Sequence, residues 1–336
     1  MTPIPSSDRT SASVPVRVGL VGTGYVAKTR AQTFRSDRRS QLVAVTGHTP
    51  ETTKAFCQEF EASFVPGWPE LVARDDLDLI VISTINSDHG AIVRSALERD
   101  KNVVVEYPLS LDPEEARECV ALAKRRGKLL HVEHLELLGG LHNAIKDSLA
   151  AIAPVFYARY STINPQRPAP DRWTYRHSLF GYPFAGALSR LHRFTDLFGP
   201  VASVTARSQF WNADGDRFRS CLCNAQLTFT CGTVGEAVYG KGETFWDSEN
   251  CFTLYGENGT LIFTPTGGQL LRGDAPQPLE VGSRRGLFAR DTQMVLDRLV
   301  EGTPLYVSPE ASLYTLTVAD AARRSAEIGR TVMVEN

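Results

Sequence analysis

Arginine and aromatic residues are concentrated in residues 151–200 of this 336-residue chain. The segment contains no lysine, and Asp171 and Asp196 are its only acidic residues. Guanidinium groups bind carboxylates through paired hydrogen bonds and stack on planar π-systems. The segment could therefore bind a flat acidic ligand, although a solvated basic face above core aromatics explains the same composition. The residues are Arg159, Arg167, Arg172, Arg176, Arg190 and Arg193, with Phe156, Tyr157, Tyr160, Trp173, Tyr175, Phe180, Tyr182, Phe184 and Phe194.

Arg190 stands out because of the apolar residues at helical spacing around it. If this stretch is a helix, Arg190 shares a stripe with Ala187, Leu191, Phe194 and Leu197. An arginine on such a stripe must extend to solvent, pair with an acid or meet a ligand. We interpret Arg190 as a substrate-binding, catalytic residue that stabilises developing negative charge, because arginine does not readily donate its proton. Arg172 and Arg193 are predicted to bind substrate as well.

A glycine-rich turn follows the short apolar run Val16–Val21. It reads Gly22-Thr23-Gly24-Tyr25-Val26-Ala27 and leads into a helical pattern, which is the context of a dinucleotide-binding G-x-G-x-x-A sequence. The first glycine permits the tight turn, the second admits a pyrophosphate, and the helix N-terminus supplies N–H donors. We predict that Gly22, Gly24, Tyr25 and Val26 bind the cofactor, over the alternative of an ordinary glycine turn.

The end of the second predicted strand favours NADPH over NADH. NAD-preferring sites usually place an acid about 20 residues after the glycines, to bind the ribose 2′-hydroxyl. This chain has Thr46-Gly47-His48-Thr49 there, and Glu51 is the nearest carboxylate. His48 and Thr49 can donate hydrogen bonds to a 2′-phosphate, so both are predicted cofactor-binding residues and NADH is not excluded.

Two patterns of secondary structure predict two domains. Apolar strands alternate with helices up to Val132, which is typical of a doubly wound parallel sheet, the Rossmann type. From Val155 the strands are longer and partly alternating, and Asn258-Gly259 indicates a hairpin. We therefore predict an α/β Rossmann domain over residues 16–135 and an α+β domain with a large, mostly antiparallel open sheet over residues 136–336. Residues 1–15 are predicted to be a disordered tail.

The composition limits the class of protein. Hydrophobic residues make up 42% of the chain and charged residues 22%, with a formal charge of −2, so a packed protein without a global affinity for nucleic acid is expected. No apolar run is long enough for a membrane span, and the first residues do not form a signal peptide. Six scattered cysteines fit reduced thiols, so a cytoplasmic protein is expected.

The glycine turn, Thr84-Ile85-Asn86-Ser87-Asp88-His89 and Glu106-Tyr107-Pro108 together resemble the Gfo/Idh/MocA oxidoreductase family. The resemblance implies that Thr84, Asn86, His89 and Glu106 line the nicotinamide pocket. Sugar dehydrogenases of this family have lysine where this chain has Tyr107, and an Asp and a His where our alignment places Ser189 and Arg193. A chain without the lysine base cannot readily take the proton from an alcohol, so sugar oxidation is disfavoured.

Further motifs are similar to the biliverdin reductases of this family, especially the cyanobacterial ones. These motifs are Val104–Leu109, Leu130–Leu138, Arg159–Ile163, Phe180–Arg190 and Gly282–Phe288, and the resemblance covers nearly all of the chain beyond the tail. It implies NADPH-dependent hydride transfer to the central methine carbon of biliverdin, giving bilirubin. Tyr107 would position the substrate, and His134 is the best titratable candidate for relaying a proton.

His131, Glu133, His134 and Glu136 more readily indicate a hydrogen-bond network than a metal site, so no metal is expected. Two other functions stay open. The chain could be a family oxidoreductase that acts on a sugar or an imine, or a non-catalytic NADP-binding regulator that kept the fold.

Overall fold

Strands and helices alternate through the first part of the computed structural model, which describes residues 14–211 and 215–335. The elements are β1 (Val16–Val21), α1 (Tyr25–Ser36), β2 (Ser40–Thr46), α2 (Pro50–Phe60), β3 (Ser63–Phe64), α3 (Trp68–Val72), β4 (Leu79–Ile82), α4 (His89–Glu98), β5 (Asn102–Glu106), α5 (Pro113–Arg126) and β6 (Leu130–Glu133). The strands form one parallel sheet in the order β3-β2-β1-β4-β5-β6. This is the predicted Rossmann arrangement. Most of the predicted tail, residues 1–13, lies outside the described residues.

The centre of this sheet is apolar because both of its faces are covered. Val16, Val18 and Leu20 of β1 are fully buried, as expected for a strand in a doubly wound sheet. The glycine turn begins directly where β1 ends, at the carboxyl edge where such sheets bind ligands.

The second part of the chain forms a nine-stranded sheet with helices. Its elements are α6 (Leu135–Leu138), α7 (Gly140–Ile152), β7 (Val155–Pro165), α8 (His177–Phe180), α9 (Pro183–Gly186), α10 (Ser189–Phe198), β8 (Val201–Trp211), β9 (Ser220–Phe229), β10 (Val234–Gly242), β11 (Glu249–Gly256), β12 (Gly259–Thr264), β13 (Gly267–Leu271), β14 (Pro276–Leu279), α11 (Leu287–Glu301), α12 (Pro309–Ile328) and β15 (Val332–Met333). The strand order is β14-β13-β12-β11-β7-β10-β9-β8-β15. Among the described strands of this sheet only β7 and β10 pair in parallel, so the sheet is mostly antiparallel, as predicted.

Helix α10 packs its apolar side on one face of this sheet. The ring of Phe194 lies 5.2 Å from that of Phe252 on β11, and the ring of Tyr160 on β7 stacks on Phe252 at 4.8 Å. The helix begins at Ser189, so the predicted helical stripe from Arg190 to Leu197 is confirmed, whereas Ala187 precedes the helix.

The chain divides into two compact units that do not follow the predicted boundary throughout. Unit 1 runs through Leu135 and includes Gly286–Glu310, and unit 2 comprises Glu136–Arg285 and the chain from Ala311. Residues 286–310 were predicted to belong to the second domain. They group with unit 1 because Val295, Leu296 and Leu299 of α11 share a core with β1. None of the helices in the described residues is long and apolar enough to cross a bilayer.

Candidate active site

The turn after β1 has a shape that only glycine can take at its first position. Gly22 has a φ of +119°, and a Cβ there would lie 2.2 Å from the carbonyl oxygen of Ser83. Gly24 caps α1 without a side-chain hydrogen bond, and no atom lies within 4 Å of where its Cβ would be. Tyr25 is exposed and Val26 half-buried at the start of the helix. This open cradle, with uncapped N–H groups, fits the pyrophosphate of a dinucleotide.

No acidic residue stands directly after β2, at the position where NAD-preferring sites usually have one. His48 and Thr49 are both exposed after β2, and Thr49 caps α2 without using its side chain. The carbonyl of Thr49 accepts from the backbone N–H and the hydroxyl of Thr53, at 2.9 and 2.8 Å, so the Thr49 side chain is not needed for the cap. Both side chains are exposed at this position, and their contact with a 2′-phosphate stays a prediction.

His89 lies in the interior, against the loops that follow β4 and β5. Its ring is fully buried, with Nδ1 2.7 Å from the carbonyl oxygen of Pro108 and Nε2 3.3 Å from that of Thr84. Burial lowers the pKa of His89, so the ring is neutral at pH 7. The ring is enclosed between these two carbonyls, and as a neutral imidazole it donates to one of them, so a contact with nicotinamide stays a prediction. Asn86 is also buried, and Thr84 is half-buried.

A buried arginine in α1 organises the carboxyl edge of the parallel sheet. Arg30 is fully enclosed and donates from Nε to Glu106 at 2.9 Å and from Nη1 to Asp291 at 2.8 Å. His131 Nε2 and Tyr306 Oη also contact Asp291 Oδ1, at 2.7 and 2.9 Å. Although burial opposes ionisation, His131 and Arg30 hold the pKa of Asp291 well below its usual value. The hydrogen-bond network predicted around His131 is confirmed, but its central residues, Arg30 and Asp291, were not predicted.

Glu106 and Glu133 lie side by side in this network. They are register partners on β5 and β6, and the Oε1 of Glu133 accepts from the backbone N–H of Leu135 at 2.5 Å. Burial, and then the charge and hydrogen bond of Glu106, raise the pKa of Glu133 well above its ordinary value. Burial and the neighbouring carboxylate both disfavour the charged form, so Glu133 holds its proton more strongly than an ordinary glutamate does.

Tyr107, which follows Glu106, packs against His134. The two rings are stacked, with centroids 5.3 Å apart. His134 is fully buried, and its backbone N–H donates to Tyr306 Oη at 3.0 Å. The structure brings Tyr107 and His134 together beside Glu106, while the positioning of substrate by Tyr107 and the relay of a proton by His134 stay predictions.

Unit 2 contains a cavity of about 430 Å³ on the sheet face below α10. This volume lies within the usual range for small-molecule pockets. Arg190 lines it, donating from Nη1 to Ser189 Oγ at 2.7 Å and from Nε to Thr162 Oγ1 at 3.3 Å. Its guanidinium carbon lies 5.6 Å from the ring centroid of Tyr239 on β10. Lys241, two residues further along β10, is the second cation in the cavity lining.

The other two predicted substrate-binding arginines are elsewhere. Arg193 is buried and donates to the backbone carbonyl of Glu136 at 3.0 Å, with Tyr160 beside it. This hydrogen bond therefore connects α10 with Glu136, the first residue of unit 2. Arg172 is exposed and does not line the cavity. One donor of Arg193 is used internally and Arg172 lies outside the lining of this cavity, so substrate binding by either residue stays a prediction.

Lys241 was missed at the sequence level. Its signal was present: Ala237, Tyr239 and Lys241 alternate along β10, so they point to one face of the sheet. The sequence Gly240-Lys241-Gly242 is typical of a turn, which obscures this signal. Arg30 carried the same signal as Arg190, since Ala27, Ala31 and Phe34 place it on an apolar helical stripe.

Comparison with known proteins matches the two parts of the chain to one family. Residues 16–134 match the Gfo/Idh/MocA profile described as an oxidoreductase family with an NAD-binding Rossmann fold. Residues 150–334 match the profile of the same family's C-terminal alpha/beta domain.

Individual relatives cover most of the chain. The crystal structure of biliverdin reductase from Synechocystis sp. PCC 6803, in complex with biliverdin and NADP+, is 51% identical with a TM-score of 0.91, and covers 93% of this chain and 99% of that one. Biliverdin reductase A of Mus musculus is 25% identical over 310 residues, covering 91% of this chain and 95% of its own. A dTDP-3,4-didehydro-2,6-dideoxy-alpha-D-glucose 3-reductase of Saccharopolyspora spinosa is 28% identical over 264 residues, with coverages of 75% and 76%.

Proposed function

Because this chain belongs to the Gfo/Idh/MocA oxidoreductase family, we propose that it is an NADPH-dependent reductase that converts biliverdin to bilirubin. The reaction adds a hydride to the central methine carbon of the pigment and a proton to a pyrrole nitrogen. One observation carries the proposal: 51% identity over 93% of the chain to a biliverdin reductase whose structure contains biliverdin and NADP+.

The cofactor cradle supports this chemistry in unit 1. NADPH, when bound, supplies the hydride. Gly22 and Gly24 admit its pyrophosphate to the N-terminus of α1, and His48 and Thr49 meet the 2′-phosphate. The network around Arg30 fixes Glu106, and with it the end of β5 that carries Tyr107.

The cavity of unit 2 supports the recognition of an acidic, conjugated substrate. Arg190 is held by Thr162 and Ser189 beside the ring of Tyr239, so its guanidinium is fixed in orientation. A fixed cation stabilises negative charge that develops on the tetrapyrrole as hydride arrives, at no cost of reorganisation. Tyr107 offers a hydroxyl that can position a lactam oxygen.

A sugar substrate is not supported by the same residues. The sugar 3-reductase relative shows that the fold carries such chemistry elsewhere in the family. In this chain Tyr107 stands at the place of the lysine base, and Arg193 is used by the carbonyl of Glu136. Neither residue would readily exchange a proton with a sugar hydroxyl, because a phenol titrates near pH 10 and arginine does not titrate in proteins.

The test is to mix the protein with biliverdin and NADPH and follow the visible spectrum. Loss of the biliverdin band and growth of the bilirubin band, absent when NADPH is omitted, would support the proposal. If NADPH binds, seen as a change in its fluorescence, but the spectrum stays constant, the chain is not a biliverdin reductase. That outcome would favour the non-catalytic regulator, whereas NADPH oxidation with a sugar or imine would favour another reductase.

A further inference from the structure

Lys241 is a buried cation without an acidic partner. Its side chain lies on the cavity face of β10, directly opposite Cys221 of β9, and the residue is only 6% exposed. Within residues 14–211 and 215–335, no carboxylate forms an ion pair with its Nζ, and the groups that act on it electrostatically are the thiols of Cys221 and Cys223. Lysines are rarely buried unless they are paired.

The protein compensates this charge only in part. Nζ donates one hydrogen bond to the carbonyl oxygen of Thr174. It lies 4.0 Å from the ring centroid of Phe180, 4.5 Å from that of Tyr175 and 5.3 Å from that of Phe218, within range of cation–π attraction. An ammonium has three donors, so a ligand in the cavity can still receive hydrogen bonds from it.

Lys241 and Arg190 meet the same cavity. Tyr239, over which Arg190 lies, precedes Lys241 by two residues on the same face of β10, a separation of about 7 Å along a strand. Among the described residues that line the cavity, the one carboxylate is Glu249, which is already bound to Arg159 at 2.7 Å. This lining thus presents two cations and no uncommitted acid.

We propose that Lys241, together with Arg190, forms a carboxylate-binding subsite in the cavity of unit 2 that takes a propionate of the linear tetrapyrrole. This inference rests on the proposed function for the identity of the ligand. Lys241 is a specificity residue here, and its contact with Thr174 also orders the wall of the subsite. A purely structural lysine would share that second role but would not distinguish an acid from its ester.

The subsite is tested with biliverdin and its dimethyl ester, compared through kcat/KM. Wild-type protein should favour the diacid by about tenfold or more, the scale of a hydrogen bond to a charged group. Lys241→Met should lose most of that preference, and Lys241→Arg should keep it. Lys146→Met is the matched control, because Lys146 is an exposed lysine of unit 2 that pairs with Asp196. An unchanged diacid preference in a folded Lys241→Met protein would overturn the subsite.

The main readout of a second arm is the pH profile of the wild-type protein, with Lys241→Arg as the comparison. Burial lowers the pKa of Lys241 to about 8, so the diacid preference of the wild type should fall between pH 7 and 9.5, while that of Lys241→Arg should stay level.

Burial raises the pKa of the facing groups Cys221 to about 11 and Tyr175 to about 12, and that of Cys223 well above 9, so these stay neutral. The other titratable or charged residues in the cavity lining are Arg190, Tyr239 and Glu249. Arginine does not titrate in this range, and Arg159 lowers the pKa of Glu249. A level wild-type profile would also reject the subsite.

The two proposals fail in different ways. If wild type reduces neither the acid nor the ester, the proposed function fails. Spectral titration of full-length protein with each pigment, without NADPH, then still measures whether Lys241 selects the carboxylate. Equal affinities for acid and ester in the wild type would overturn the inference, whatever the activity.

Discussion

The rings of Tyr107 and His134 are parallel to within 5°, with their centroids 5.3 Å apart. The two residues come from the ends of adjacent strands, β5 and β6, whose register also pairs Glu106 with Glu133. The stacking fixes the plane of the tyrosine ring, so its hydroxyl is presented in one direction. The stacking therefore keeps Tyr107, which stands at the position of the family's lysine base, in a defined orientation.

Tyr107→Phe keeps this stacking and removes only the hydroxyl. We expect kcat/KM for biliverdin to fall by about tenfold, the value of one well-formed hydrogen bond. Steady-state kinetics checks this, with Tyr107→Leu as the variant that also loses the ring contact. If Tyr107→Phe behaved as wild type while Tyr107→Leu were impaired, the ring alone would matter.

Arg190→Ala removes the fixed cation from the cavity of unit 2. We expect kcat/KM to fall by about 10²-fold or more, as for the loss of one placed catalytic donor. Arg323→Ala is the control, because Arg323 forms ion pairs on the partly exposed face of α12 and should leave the rate unchanged. Near-normal turnover by Arg190→Ala would remove the residue from the catalytic machinery.

The absence of an acid after β2 predicts a lower KM for NADPH than for NADH. Thr49→Asp places a carboxylate at the exposed cap of α2, where it would repel a 2′-phosphate and accept from a ribose hydroxyl. The ratio of the two KM values should shift toward NADH by about tenfold or more, the size of one lost interaction with a charged group. Thr49→Asn controls for shape without charge. A wild type that strongly prefers NADH would contradict the assignment.

Arg30→Met removes the buried cation that pairs with Glu106 and Asp291. Breaking one side of a buried ion pair typically costs about 3–5 kcal/mol, so the free energy of unfolding should fall by that amount. Denaturant unfolding measures the change. Arg35→Met, on the exposed side of the same helix, should cost less than about 1 kcal/mol. Equal effects of the two substitutions would contradict the structural role of Arg30.

The raised pKa of Glu133 makes stability depend on pH. In the unfolded chain a glutamate loses its proton near pH 4.3, whereas folded Glu133 keeps it to higher pH. The folded state then binds more protons, so this residue reduces the free energy of unfolding as pH rises above about 5. Glu133→Gln cannot lose a proton and should be more stable than wild type at pH 8 by about 1 kcal/mol or more. Parallel pH profiles for the two proteins would contradict a raised pKa of Glu133.

Much of the fold followed from local patterns in the sequence. The predicted β1 coincides with the observed strand, because a continuous apolar run is a local signal. Strand β3 and strand β15 have two residues each, too few for a periodic pattern. Helix α7 was not predicted because it follows the predicted domain border without a capping side chain.

Candidate site residues could be recognised where the sequence pattern lies within a single helix or turn. Arg190 was found from its stripe on one helix, and the glycine turn from its place between a strand and a helix. The partnership of Arg30 with Asp291 joins residues 261 positions apart, which no spacing rule connects. Lys241 required the register of β10 against β7 and β9, since only the sheet shows which face it occupies.

Unit 1 is formed by two separate stretches of the chain, and this affects whether it could be produced as an isolated fragment. A fragment ending at Leu135 would keep the whole glycine turn but would omit Asp291 and the apolar side of α11. Arg30 would lose one of its two counter-ions, and the core around β1 would open to water. Grafting the nucleotide cradle onto another protein would therefore require carrying residues 286–310 along with it.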